Sequence, residues 1–412
     1  MLRRRGRTLA AVVAVGVGLV IVAGTPASDA QGGSTTALPE AAPAIPGVLP
    51  LPVAPPAVVP TLRAAWGPSA QHLAEARAAV ATMSPERLAG QVLVVRYGGT
   101  DPGLAAATLR NWHLGGVILM RENVASADQV RASAAAFHEA VAADGRTWPA
   151  VVGVDEEGGR VSRLSGVLPE LPAFATFGAA ADDAATAARF TQLGADLAAL
   201  GITMDFAPVA DVTMGAADPT IGDRSPSSDP AVAARTVRAA AGGLVTGGVV
   251  PVVKHFPGHG SVTVDSHSAL PVQGASLAQL TARDLVPFAA AVDAGAPAVM
   301  LAHLDVPAVD PGVPSSLSPA VYRLLREGLG FQGVAVTDAL NMAAVPESAP
   351  GEVAVRALAA GADLLLMPRD AGAAVTAIVA AVADGRVPLA RLQEAATRVI
   401  ALQLWTAELQ AR

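Results

Sequence analysis

The chain has 412 residues, a formal net charge of −7 and no cysteine, so disulfides, thiolate zinc sites, a cysteine nucleophile and lipid attachment through an N-terminal cysteine are all excluded. Aromatic residues make up only 3% and no basic stripe is present, which argues against a nucleic-acid partner read through phosphates and stacked bases. Hydrophobic residues reach 52%, enough for a large core, and the length suits one α/β barrel of ~250 residues or more.

The chain opens with a basic segment, MLRRRGR, followed by the apolar run LAAVVAVGVGLVIVAG at 9–24 and the small-residue stretch TPASDA. This order reads as an export signal over residues 1–30, cleaved after Ala27 or Ala30. The apolar run is also close to spanning length, so an uncleaved membrane anchor is the alternative. Residues 31–62 are rich in Pro and Ala. Such a stretch cannot form a core and reads as an extended linker, either holding the body off a membrane or in a cell wall, or a tail without a role. The body, residues 63–412, is expected outside the cytoplasm.

From about Met83 short apolar runs alternate with longer Ala/Leu-rich stretches. The strand candidates are Gln91–Val95, Gly116–Met120, Ala150–Val154, Thr203–Ala207, Val249–Val253, Ala298–Ala302, Gly333–Thr337 and Asp363–Met367. Helical candidates between them include ADQVRASAAAFHEAVA, DAATAARFTQLGADLAALG, PAVAARTVRAAAGGLVTGG and SPAVYRLLREGLG. Continuous apolar strands separated by amphipathic helices indicate a parallel sheet covered on both faces. Eight such units predict an α/β fold of the (β/α)8 TIM-barrel type as a single catalytic domain.

Polar residues follow the strand candidates: DEEGGR (Asp155–Arg160), PVADV (Pro208–Val212), KHFPGHG (Lys254–Gly260), HLD (His303–Asp305) and DALNM (Asp338–Met342). These are carboxyl ends of strands, where barrel enzymes assemble their sites. Asp338, at the tip of GVAVT, can serve as a nucleophile or simply cap a following helix. Asp265 and His267, two apart in DSH, point to the same side of an extended segment. A carboxylate there would orient an imidazole that gives and retakes a proton, although a surface pair in a loop looks the same in sequence. Lys254 and His255 can donate to sugar hydroxyls or phosphate oxygens, one facing the mouth and the other its surroundings. Asp155, Glu156 and Glu157 precede Gly158-Gly159, which permit a tight backbone path, and then Arg160 and Arg163. An oxygen-rich cluster also suits Mg²⁺ or Ca²⁺, but no EF-hand-like spacing accompanies it. No phosphate-loop, G-x-S-x-G or H-E-x-x-H pattern occurs, so no support exists for those chemistries.

The order GVDEEGGRVSRL, DFAPVADV, KHFPGHG, DSH, VTDALNM resembles glycoside hydrolase family 3, most closely its single-domain bacterial β-N-acetylglucosaminidases. The resemblance runs from about Met83 to Trp405. It implies that Asp338 is the nucleophile, His267 the acid/base and Asp265 its orienting partner. It implies that Asp155, Arg163, Arg224 (in IGDRSPSSDP), Lys254 and His255 hold the terminal sugar, with no metal or other cofactor. The expected activity is retaining, exo-acting release of terminal N-acetylglucosamine, with peptidoglycan fragments as substrate. A β-glucosidase or xylosidase of the same family is the near alternative, and a catalytically silent sugar-binding protein the distant one. Water or phosphate as second acceptor stays open.

Overall fold

The computed structural model describes residues 66–262, 269–345 and 348–412. The expectations for residues 1–30 and 31–62, and those for Asp265 and His267, fall outside these residues. The described body belongs to one compact unit, Pro60–Arg412.

All eight strand candidates form strands: β1 Leu93–Val95, β2 Gly116–Leu119, β3 Val151–Val154, β4 Met204–Asp205, β5 Val250–Phe256, β6 Ala298–Leu301, β7 Val334–Thr337 and β8 Leu365–Leu366. They lie in the order β7-β6-β5-β4-β3-β2-β1-β8, and every neighbouring pair is parallel. A parallel bridge between Val336 and Leu364 joins the two ends, supported by the Thr337 N–H donating to the Leu364 carbonyl at 3.0 Å. The sheet therefore closes into a barrel and exposes no long edge. Strand residues such as VVGV and VAVT are buried throughout. Side chains pointing inward fill the barrel and those pointing outward meet helices, so no polar alternation survives.

Polar side chains start the intervening helices. Ser126 caps Ala127–Ala143, Asp182 caps Asp183–Ala198, and Asp229 caps Pro230–Thr246 with proline in the first turn; each supplies an acceptor to an otherwise orphaned N–H. The candidate SPAVYRLLREGLG differs from a plain α-helix. Pro319–Arg323 is α-helical and Leu324–Gly328 continues as a π-turn. Arg326 on that turn donates to the carbonyl of Gly333 at 2.7 Å and pairs with Asp363.

The last helix, Leu389–Ala411, covers the amino ends of the strands. Its Gln403 donates to the carbonyls of Gly115 and Pro149 at 3.0 and 2.9 Å. Its Leu402 and Thr406 enclose a small space there with Val151, Met204 and Val334. That end is plugged, so the carboxyl ends of the strands provide the open mouth. Among the described residues, no helix is long and apolar enough to cross a membrane.

Candidate active site

Asp155 follows β3 directly. The chain then turns through the short hairpin Glu156–Gly158 with Val161–Ser162. Gly158 and Gly159 have φ of 88° and 54°. A Cβ at Gly158 would come within 2.4 Å of the Pro172 carbonyl oxygen, so the turn excludes a side chain on two counts. Glu156 fastens this turn. It accepts from the Ser162 hydroxyl at 2.5 Å and from the N–H groups of Arg163 and Leu164 at 2.9 Å each. Its neighbour Glu157 has a different duty. It accepts from Lys254 Nζ at 2.6 Å and bidentately from Arg224 Nε and Nη2 at 2.7 and 2.8 Å.

Lys254 also donates to Asp155 at 2.7 Å, and Arg163 stands 3.6 Å from the other Asp155 oxygen. Burial opposes charge on both sides of the Lys254–Glu157 pair. The opposite charges prevail: Asp155 and Glu157 hold Lys254 above its ordinary value, while Lys254 and Arg224 hold Glu157 far below its own. The carboxylates that could ligate a divalent cation are thus engaged by ammonium and guanidinium.

Sequence placed Lys254 and His255 after a strand and on different sides. The structure corrects both points. Both residues belong to β5, and both line the same cavity. The register of β5 against β6 shifts between Val253 and Phe256, so simple alternation fails there. His255 Nδ1 meets Asp211 Oδ2 at 2.7 Å. The other Asp211 oxygen accepts from the N–H of His255 at 3.2 Å and of His259 at 2.6 Å. Burial pushes the Asp211 carboxyl up, but His255, His259 and these hydrogen bonds hold it below the ordinary range. An ionised Asp211 can only accept, so Nδ1 of His255 carries hydrogen. Its Nε2 is left toward Arg224, 3.5 Å from Nη2.

Asp338 stands at the tip of β7, half-buried. It does not cap a helix: its carboxylate accepts from the next N–H, that of Ala339, at 2.7 Å, and among the described residues the next helix begins only at Glu352. Burial raises its pKa, but His303, His255, the Ala339 N–H and Lys254 outweigh this and hold it below the usual carboxylate range. His303 is fully buried beneath, with Nε2 donating to the Ala339 carbonyl at 2.9 Å and Nδ1 at 2.6 Å from the Ser316 hydroxyl.

Asp155, Arg163, Arg224, Lys254, His255 and Asp338 all border one cavity of about 340 Å³ at the barrel mouth. The structure brings together every candidate site residue within its described range. Glu157 and His259 border the cavity too, and Asp211 and His303 support the lining from behind; no role in the site had been assigned to any of the four. Each lay in a polar segment after a strand, which was the available signal. The cavity combines the ionised Asp338 with paired charges and ring nitrogens of the kind that can hydrogen-bond hydroxyls. That arrangement suits attack on an electrophilic carbon of a polyhydroxylated ligand.

The profile described as "Glycosyl hydrolase family 3 N terminal domain" matches residues 88–402. The Mycobacterium tuberculosis protein "Beta-hexosaminidase LpqI" is 35% identical over 418 residues, covering 96% of this chain and 97% of that protein. A solved family 3 β-N-acetylglucosaminidase from Paenibacillus sp. superposes with a TM-score of 0.77 at 35% identity, over 79% of this chain and 63% of that one. The chain thus spans less than two thirds of that protein's length. The structure of M. tuberculosis LpqI gives a TM-score of 0.73 at 36% identity, over 80% of this chain and 96% of that one.

Proposed function

The chain belongs to glycosyl hydrolase family 3, and from that premise we propose that it is an exo-acting, retaining β-N-acetylhexosaminidase. The observation that carries the reading is Asp338: a carboxylate on a strand tip, kept ionised, bordering a cavity rich in hydroxyl-binding groups. Asp338 attacks the anomeric carbon of a terminal N-acetylglucosamine and forms a covalent glycosyl-enzyme. The leaving oxygen takes a proton from His267, oriented by Asp265. His267 then removes a proton from water, which displaces Asp338 with net retention. Proton transfer of this kind contributes typically ~10²–10⁴-fold. An imidazole gains positive charge on protonation, so it attracts the ionised Asp338 instead of repelling it. Asp155, Arg163, Arg224, Lys254 and His255 hold the terminal sugar.

In the same reading, residues 1–30 direct export, residues 31–62 form a linker, and residues 63–412 are the catalytic domain. Export places the enzyme where peptidoglycan fragments occur, which we take as its substrates. Support for the amino sugar comes from the two relatives named for hexosaminidase or N-acetylglucosaminidase activity.

The test is turnover of an aryl β-N-acetylglucosaminide beside the matching aryl glucoside. The wild type is expected to prefer the amino sugar, and Asp338→Asn to lose several orders of magnitude. His267→Ala is expected to lose more on natural disaccharides than on activated aryl glycosides, which need little acid assistance. Preference for the glucoside would move the enzyme to the β-glucosidase side of the family. No turnover of any aryl glycoside by pure wild type would make it a sugar-binding protein.

A further inference from the structure

Arg160 follows the Gly158-Gly159 turn of the short hairpin and does not border the catalytic cavity. Its guanidinium reaches across to the loop that carries Arg224. Nη2 donates to the carbonyls of Thr220 and Ile221 at 2.6 and 2.8 Å, and Nε stands 3.2 Å from Asp223 Oδ1. Thr220, Ile221 and Arg224 all border the cavity, so Arg160 grips the outside of a wall whose inside faces the ligand.

The Ile221 carbonyl is the junction. It accepts from Arg160 Nη2 and also from the Arg224 N–H at 2.9 Å, which occupies both of its lone pairs. The Ile221 N–H donates to Asp218 Oδ1 at 2.9 Å, and Oδ2 of that buried carboxylate accepts from the Thr213 hydroxyl at 2.9 Å. One hairpin therefore holds Arg224 twice. Glu157 takes its guanidinium from within, and Arg160 takes its backbone from outside, through Ile221. Asp155 and Arg163 lie at the two ends of the same hairpin and border the same cavity, so this double grip fixes their spacing from Arg224.

The contacts of Arg160 differ in weight. The side chains of Arg160 and Asp223 are 46% and 54% exposed, and a surface pair of that kind contributes little. The two carbonyl contacts are charge-assisted and come from a planar fork that an ammonium does not reproduce.

We propose that Arg160 is a positioning residue: through the Ile221 carbonyl it fixes Arg224 and the Thr220–Ile221 wall, and so sets the affinity for the terminal sugar. The proposal rests on the hexosaminidase reading above for the identity of that sugar.

Steady-state kinetics on the aryl β-N-acetylglucosaminide and hydrogen exchange of the unliganded protein test it together. Arg160→Ala is expected to raise KM about five- to tenfold while kcat stays within about twofold, because the contact acts on ground state and transition state alike. Arg160→Lys should recover part of the affinity, and Asp223→Asn should stay within about twofold of wild type in both constants. In Arg160→Ala the amides of Arg224 and Ser225, which donate to Ile221 and Gly222, should exchange about tenfold faster, with strand amides such as those of Phe206 and Val252 unchanged. Unchanged exchange at Arg224 and Ser225 overturns the clasp. Faster exchange with an unchanged KM overturns its role in sugar affinity, and an equal rise of KM in Asp223→Asn overturns the carbonyl route. Absence of turnover by the wild type removes the hexosaminidase reading, and the exchange measurement then decides the clasp by itself.

Discussion

Lys254 and Glu157 form an ion pair of 2.6 Å in the cavity wall, with side chains only 3% and 2% exposed. Asp155 and Arg224 extend the pair into a four-residue chain of alternating charge. Removing one member of a buried pair leaves its partner's charge uncompensated. Lys254→Met is therefore expected to cost about 3–5 kcal/mol of stability by urea denaturation, besides abolishing turnover. The double variant with Glu157→Gln should recover part of that loss. Strictly additive losses would mean that the two side chains are not coupled.

The state of Asp338 sets an acid limit. Burial favours its neutral form, but His303, His255 and Lys254 hold the carboxyl below its ordinary value. The Asp338 carboxylate, the proposed nucleophile, therefore stays ionised below the pH at which a free aspartate would take up a proton, about 3.9. The acid limb of kcat/KM should break below that value. In His303→Gln the break should move upward by about one pH unit, because a nearby positive charge is lost. An unchanged acid limb in the variant would remove His303 from this account.

Asp205 behaves in the opposite way. It is fully buried in β4. One oxygen accepts from the Glu156 N–H at 2.9 Å, and the other has no partner among the described residues. Burial pushes its carboxyl well above the ordinary value. The unfolded chain releases this proton near pH 3.9 while the folded chain retains it. Its contribution to stability is complete below that pH. It then declines as pH rises toward the folded pKa, by up to about 1.4 kcal/mol per pH unit. Asp205→Asn should remove this slope, so thermal melts between pH 4 and 8 should show the variant gaining on the wild type. A difference independent of pH would contradict the assignment.

Asp363, at the plugged end of the barrel, accepts from Arg391 at 2.6 Å, Arg398 at 3.2 Å and the Ala335 N–H at 3.0 Å, and also pairs with Arg326. It ties the π-turn, the last helix and β7 together. Asp363→Ala leaves three guanidiniums without their shared anion and should cost about 3–5 kcal/mol. Because it does not border the cavity at the mouth, kcat/KM per folded molecule should remain at the wild-type value. A selective loss of kcat at full stability would overturn this structural role.

The barrel was legible because strands buried on both faces leave unbroken apolar runs such as AVVGV and GVAVT. The end of β5 was not. Lys254 and His255 look like loop residues in sequence, yet they occupy a strand because their charges and hydrogen bonds are met by Asp155, Glu157 and Asp211. Those partners were beyond reach for the same reason. Lys254 and Asp155 are 99 residues apart, and Arg224 and Glu157 are 67 apart. Sequence could show that each group follows a strand, but not which cation answers which carboxylate. Asp338 was ambiguous between cap and site until the next described helix proved to begin only at Glu352.

Asp211 is absent from the cavity lining, yet it selects which nitrogen of His255 holds hydrogen and so what the exposed nitrogen presents to a sugar. An engineer who rebuilt only the lining for a different hexose would inherit that polarity unchanged. Switching it requires an edit one layer deeper, and a library restricted to wall positions would never sample the switch.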